Sequence, residues 1–287
     1  MTRRALSKER NWIAVVITIL ACLCVAYLII LIIAFFVQDK IVFPAGKSVW
    51  RTPKDYDWDF EEIQLSVQGE TTFGWFVPHE NARATVLFSH GNGGTMADRL
   101  DVAMMFHDLG CNVLLYDYGG YGKSTGKPSE KRCYADVRAM WDYLVHTKSI
   151  PPGQIIAFGE SLGGGVAVEL AAEQPVGGLI LMATFLSAVK VGQHAFPFLP
   201  VGLFLRHKFD SEHKIGNVRS PVLIFHSPSD ETIPFEQGKA LFELANEPKQ
   251  FVSIRGGHND GFFESRKEIT ESVASFLETY FPTPQPR

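Results

Sequence analysis

The chain has 287 residues, 27 of them basic and 31 acidic, with a formal net charge of −4 and 46% hydrophobic content. That length holds one large α/β domain, or at most two small ones. Setting aside residues 1–37, with four basic residues and one acid, leaves 23 basic and 30 acidic residues and no Lys/Arg-rich block, which argues against nucleic acid as a partner.

Residues 12–37 carry no charge and are almost wholly apolar. At about 1.5 Å rise per residue the run exceeds the ~30 Å hydrocarbon core of a bilayer. A cleaved signal peptide would have an apolar region of about 7–15 residues ending at small side chains. This run is longer and ends in Phe35-Phe36-Val37-Gln38. The expectation is a single-pass transmembrane helix over 12–37, preceded by a short basic tail, 1–11. Arg3, Arg4, Lys8 and Arg10 lie before it, and Lys40, Lys47 and Arg51 after it. The positive-inside rule therefore favours a cytoplasmic amino terminus with the following domain on the extracytoplasmic side. Cys22 and Cys24 fall in the span, leaving Cys111 and Cys133 for the domain. Two thiols without CxxC spacing give neither a disulfide framework nor a metal or redox site.

Residues 38–58, with Pro44 and Pro53, read as a linker. Residues 59–281 read as the domain and 282–287 as a tail. Runs at 61–67 and 71–77 suggest an antiparallel hairpin. Beyond them, β-branched apolar runs at 84–89, 112–118, 154–159, 178–182, 221–226 and 250–254 alternate with helical patterns. These patterns lie near 97–109, 130–146, 164–173, 235–245 and 262–280. The alternation implies crossover units and an α/β fold with a mostly parallel central sheet and helices on both faces. Val113-Leu114-Leu115-Tyr116 and Val222-Leu223-Ile224-Phe225 suit strands buried on both faces.

Gly159-Glu160-Ser161-Leu162-Gly163 fits G-x-S-x-G between a short buried strand and a helix. That context makes it a nucleophile elbow, with Ser161 lifted clear of the backbone at a sharp turn. A serine hydroxyl needs a base, and the base needs an acid to fix its tautomer. On such sheets the acid and then the histidine follow the serine along the chain. His258, in the loop Gly256-Gly257-His258-Asn259-Asp260, follows the last strand, and Asp230 lies just past the strand before it. Both thus sit at carboxyl ends of strands, where such sheets gather ligands. Asp210 and Asp260 are rival acids. Acyl transfer also needs donors aimed at the oxyanion. The backbone N–H of Leu162 is one, and Asn92 in His90-Gly91-Asn92-Gly93-Gly94 is the candidate for the second, with Gly93 next. His90 reads as a residue that fixes this turn. Gly122-Lys123-Ser124 mimics the end of a phosphate-binding loop, but Asp117 stands where that motif needs glycine.

Phe88-Ser89-His90-Gly91-Asn92-Gly93-Gly94, the stretch from Tyr116 to Ser124, the elbow, Ser229-Asp230-Glu231 and Gly257-His258-Asn259-Asp260 together resemble the α/β-hydrolase superfamily. More narrowly they are similar to its membrane-associated abhydrolase-domain subgroup, which includes protein depalmitoylases. The resemblance implies hydrolysis of carboxylic esters or acyl thioesters with no cofactor and no metal. The substrate would be a small or lipid-like ester, or an acylated protein. A serine aminopeptidase of the same fold is the alternative, with Glu160 or Glu231 to receive an amine. A catalytically inactive binding or scaffold module is another. Between the sixth and seventh strands, 185–215 is a usual place for a lid, and its middle, 196–205, is strongly apolar. Phe198 and Leu203 are the candidates there for lining an acyl groove, against a reading in which these side chains are core.

Overall fold

The computed structural model describes residues 3–283. Residues 284–287 of the expected tail and residues 1–2 lie outside them. Among the described residues, eight strands form one sheet in the order β1-β2-β4-β3-β5-β6-β7-β8. β1 (Glu61–Val67) and β2 (Glu70–Val77) are antiparallel to each other, and β2 is antiparallel to β4 (Cys111–Asp117). The remaining pairs, through β3 (Ala84–Ser89), β5 (Ile155–Glu160), β6 (Gly178–Met182), β7 (Val222–His226) and β8 (Lys249–Ser253), are parallel.

Strand alternation divides the apolar side chains between two cores. Leu114 and Tyr116 pack on one face with α3 (Glu130–Asp142), α4 (Leu162–Glu173) and α7 (Phe235–Leu244). Val113 and Leu115 pack on the other with α2 (Leu100–Asp108) and α9 (Arg266–Tyr280). Cys133 and Cys111 are buried free thiols in these opposite cores. The final helix, expected as one piece, is broken at Ser265, where α8 (Gly261–Glu264) gives way to α9. The Ser265 hydroxyl is hooked between the Arg255 N–H (2.7 Å) and its carbonyl (3.2 Å), which holds the chain out of helical geometry.

The amino-terminal helix differs from the expected span. α1 runs from Arg3 to Val42, joining the segment expected as a tail and extending five residues beyond Val37. Nothing between Gln38 and Val42 breaks a helix, and Pro44 disfavours helical geometry only at Phe43. The rest of the expected linker, residues 43–58, is packed on the domain. Ala45 bridges Gly94, Gly122 N–H donates to the Gly46 carbonyl (2.8 Å), and Arg51 pairs with Asp101 (2.7 Å). The lid segment forms two short helices, α5 (Ala188–Ala195) and α6 (Val201–Phe204), separated by a turn containing Pro197 and Pro200.

Candidate active site

β5 ends at Glu160 and α4 starts at Leu162, so Ser161 makes the turn alone, at φ 53 and ψ −117. A left-handed φ at a non-glycine residue costs on the order of 1–3 kcal/mol and persists only where the surroundings impose it. Here the Ser161 N–H donates to the Met182 carbonyl (2.9 Å). Its own carbonyl accepts from Gly164 N–H (2.9 Å) and the Thr184 hydroxyl (3.0 Å). Strand and helix approach so closely that a Cβ on Gly159 would lie 2.6 Å from Gly164 Cα.

Ser161 Oγ lies 3.0 Å from His258 Nε2, and His258 Nδ1 lies 2.8 Å from Asp230 Oδ2. The loop after β8 carries the histidine. It is fixed by Gly257 N–H donating to Asp260, by His258 N–H donating to Glu231 Oε2 (3.0 Å), and by the Ser227 hydroxyl donating to the Gly256 carbonyl. Asp230 sits in the turn after β7 with its side chain only 1% exposed. Burial alone would raise its pKa. Hydrogen bonds from His226, His258 and the Ile233 N–H outweigh that and hold the carboxyl well below the usual range. Oδ1 accepts from Thr232 N–H (2.9 Å) and Ile233 N–H (2.7 Å), leaving Oδ2 for the histidines. The rival acids are engaged elsewhere: Asp210 with His213 (2.8 Å), Asp260 within its own loop.

His226 was not singled out by the sequence. It ends β7, is fully buried, and places Nε2 3.0 Å from the Ile233 carbonyl and 3.4 Å from Asp230 Oδ2. Both neighbours are acceptors, so Nε2 carries the hydrogen. The i, i+4 spacing of His226 and Asp230 gave no signal, because the contact depends on the turn after the strand.

Leu162 is the first residue of α4, so its N–H has no carbonyl within the helix to bond. The loop at 90–94 faces it, and its peptide planes are clamped. His90 Nδ1–H donates to the Gly91 carbonyl (2.7 Å), which fixes the plane containing the Asn92 N–H. Tyr118 and Tyr121 hydroxyls donate to the His90 and Asn92 carbonyls, both at 2.8 Å. Burial pushes both phenols well up, so they stay protonated donors. Asp117 accepts from Met96 N–H (2.8 Å) beneath the same loop. The Asp117–Ser124 turn that mimics a phosphate loop is thus a buttress. The Asn92 side chain is turned to the Val42 carbonyl (3.3 Å), so its backbone N–H is the group available as a donor.

Ser161, Leu162, Asn92 and His258 open into a cavity of about 620 Å³ whose other walls are mainly apolar, within the ~300–1,000 Å³ usual for small-molecule sites. The segment expected as a lid does contribute, but not through the two residues expected. Phe198 and Leu203 are 87% and 88% exposed and line no part of it, while Phe196, Leu199, Val201 and Phe204 do. The prolines reset the helix phase, so the inward residues do not follow one periodic stripe.

The same sheet and helix arrangement occurs in an esterase of Pyrococcus furiosus, with a TM-score of 0.69 at 19% identity over 83% of this chain and 97% of that one. Residues 80–208 match the family model described as serine aminopeptidase, S33. An uncharacterized protein of Mycobacterium tuberculosis is 35% identical over 239 residues, 82% of this chain and 80% of its own. Human alpha/beta hydrolase domain-containing protein 17B is 40% identical over 185 residues, covering 63% of this chain and 62% of that protein. Fold and sequence together define a hydrolase architecture. This chain belongs to the α/β-hydrolase superfamily.

Proposed function

We propose that this protein is a membrane-anchored serine hydrolase that cleaves carboxylic esters or acyl thioesters through an acyl-enzyme on Ser161. The observation that carries the proposal is the continuous hydrogen-bonded path Ser161–His258–Asp230 at the end of an apolar cavity. Ser161 Oγ attacks the acyl carbonyl as its proton passes to His258 Nε2. The oxyanion is met by the N–H groups of Leu162 and Asn92. The alcohol or thiol leaves with that proton, and water then cleaves the Ser161 ester by the same route. Asp230 stays ionised and orients the imidazole. Anchoring through α1, with the domain on the extracytoplasmic side, is part of the proposal. An apolar stretch over Trp12–Val42 that is long enough to cross a bilayer supports the anchoring.

The aminopeptidase alternative needs an acid to receive the substrate's ammonium. Glu160 Oε2 lies 2.8 Å from Arg99 Nε, and Glu231 accepts the His258 N–H. Neither lines the large cavity, which favours the ester reading.

A fluorophosphonate probe is expected to label the wild-type chain, and Ser161→Ala and His258→Ala to abolish labelling while circular dichroism stays unchanged. Persistent labelling of Ser161→Ala would place the nucleophile elsewhere. Tyr121→Phe removes the hydrogen bond to the Asn92 carbonyl, which fixes the peptide plane following Asn92 and through it the position of the Asn92 backbone. One oxyanion donor is worth roughly 10²–10³ in kcat, so loosening one is expected to lower kcat about tenfold with KM little changed. Steady-state hydrolysis of p-nitrophenyl butyrate measures this, and an unchanged kcat would remove the buttress from the mechanism.

A further inference from the structure

The uncharged apolar part of α1, residues 12–37, is 26 residues long. At about 1.5 Å per residue it is about 39 Å long, against a ~30 Å hydrocarbon core that about 20 residues cross. Roughly six apolar residues are therefore surplus to anchoring, and the helix continues five residues further to Val42. The surplus lies at the domain end, where α1 is fastened to the lid in two places. Near its end, Gln38 is only 3% exposed; its Oε1 accepts from Arg206 N–H (2.8 Å), and its Nε2 donates to the Phe204 carbonyl (3.3 Å). Asp39 there pairs with Arg206 (2.8 Å) and His207 (2.9 Å). Eleven residues earlier, the Tyr27 hydroxyl donates to the Phe198 carbonyl (2.8 Å).

Ile30, Ile33, Ala34 and Val37 between these two fastenings, and Ile41 just beyond them, recur at helical spacing along one face, and all five line the cavity that ends at Ser161. The opposite wall comes from the lid. The cavity is thus a slot between anchor and lid that follows the helix towards the bilayer. On the outside of the same lid, the exposed side chains of Phe198 and Leu203 suit contact with the membrane surface rather than with water.

Building on the ester hydrolase proposed above, we infer that α1 is a substrate-binding element as well as an anchor. Its Ile30–Ile41 stripe forms one wall of the site for a long fatty acyl chain, which enters from the bilayer along the helix until its carbonyl reaches Ser161. The occupant is the acyl chain of a membrane-resident ester or thioester.

The test uses the full chain in detergent micelles and reads the ratio of kcat/KM on p-nitrophenyl palmitate to that on p-nitrophenyl butyrate. Ala34→Trp and Ile33→Trp add bulk to the wall, and the ratio is expected to fall at least about tenfold. Ile29→Trp and Ile32→Trp, on faces of the same helix that do not line the cavity, are expected to keep the wild-type ratio. Fluorophosphonate labelling monitors folding, and Ala34→Leu supplies a smaller graded change should a tryptophan variant lose its label. Palmitoyl-lysophosphatidylcholine and an S-palmitoyl peptide, assayed in parallel, distinguish the two carriers of such a chain. A lowered rate on whichever is hydrolysed supports the wall. Labelled, butyrate-active Ala34→Trp and Ile33→Trp with unmoved ratios would overturn the acyl wall and leave the hydrolase standing. A wild-type chain with neither labelling nor ester hydrolysis would instead overturn the hydrolase reading on which the wall rests.

Discussion

Asp230→Asn is expected to lower kcat by about four orders of magnitude, with Ser161 and His258 still in place. The reason is the direction of the hydrogen bonds. Thr232 and Ile233 N–H groups both donate to Oδ1. In the asparagine variant those two donors claim the amide oxygen, and the NH₂ group turns to His258 Nδ1. An imidazole that accepts at Nδ1 carries its hydrogen on Nε2, facing Ser161, and is unable to take the serine proton. KM is expected to change little, since Asp230 does not line the large cavity. Steady-state kinetics on p-nitrophenyl butyrate measure the effect. An almost fully active Asp230→Asn would unseat this acid, and Asp210→Asn, which loses only a surface contact to His213, is the control expected to stay near wild type. The carboxyl also contributes to stability. Its pKa is lowered in the fold, so its contribution is complete above the unfolded value of about 3.9 and is lost as pH falls through the lower folded value. The stability gap between wild type and Asp230→Asn is therefore expected to narrow only below about pH 4.

The elements that bring Ser161, His258 and Asp230 together were legible because their signals are local. A β-branched run, a glycine-flanked serine and an immediate helical pattern fix the elbow within about fifteen residues. The ends of β7 and β8 then place Asp230 and His258 on the same sheet edge through parallel topology alone. What was not legible depends on contacts between distant segments. Tyr118 and Tyr121 act on carbonyls 28 and 29 residues away, so their stretch showed a resemblance and a failed phosphate motif but no role. His226 becomes a partner of Asp230 only through the turn that follows β7.

The amino-terminal helix posed a different difficulty. A helix apolar on every side has no periodic pattern from which to read its docked face. Hydropathy therefore marked 12–37 as a span and missed both the continuation to Val42 and the stripe facing Ser161. The polar residues Gln38 and Asp39, read as the start of a linker, are the ones that lock the helix to Arg206 and His207. In the segment expected as a lid, composition marked an apolar stretch, but choosing Phe196 and Phe204 over Phe198 and Leu203 required knowing how Pro197 and Pro200 turn the chain.

Gly163→Ala is expected to destabilise the domain and disable it at once, although the general rule predicts the reverse. Replacing a helical glycine by alanine ordinarily gains about 1 kcal/mol. At Gly163 a Cβ would overlap the Ser89 carbonyl oxygen and lie 2.6 Å from the His90 carbonyl oxygen. Both are backbone atoms at the end of β3 and the start of the 90–94 loop, and neither is able to rotate aside as a side chain would. Overpacking of this kind costs about 1–3 kcal/mol and occasionally more, so the clash outweighs the propensity gain. Net of the propensity gain about 1–2 kcal/mol is lost, and a fall in Tm on the order of 2–8 °C follows for a domain of this size. The relaxation that accommodates the methyl group moves the 90–94 loop away from Leu162. Separating the two proposed oxyanion donors in this way is expected to lower kcat at least about a hundredfold. Gly153, where a Cβ would meet nothing within 4 Å, is the control, and Gly153→Ala is expected to shift stability by no more than about 0.5 kcal/mol. Thermal unfolding and ester hydrolysis of the two variants decide the matter. A Gly163→Ala protein that keeps both its Tm and its kcat would mean that β3 and the elbow tolerate a wider spacing than their backbone contact implies.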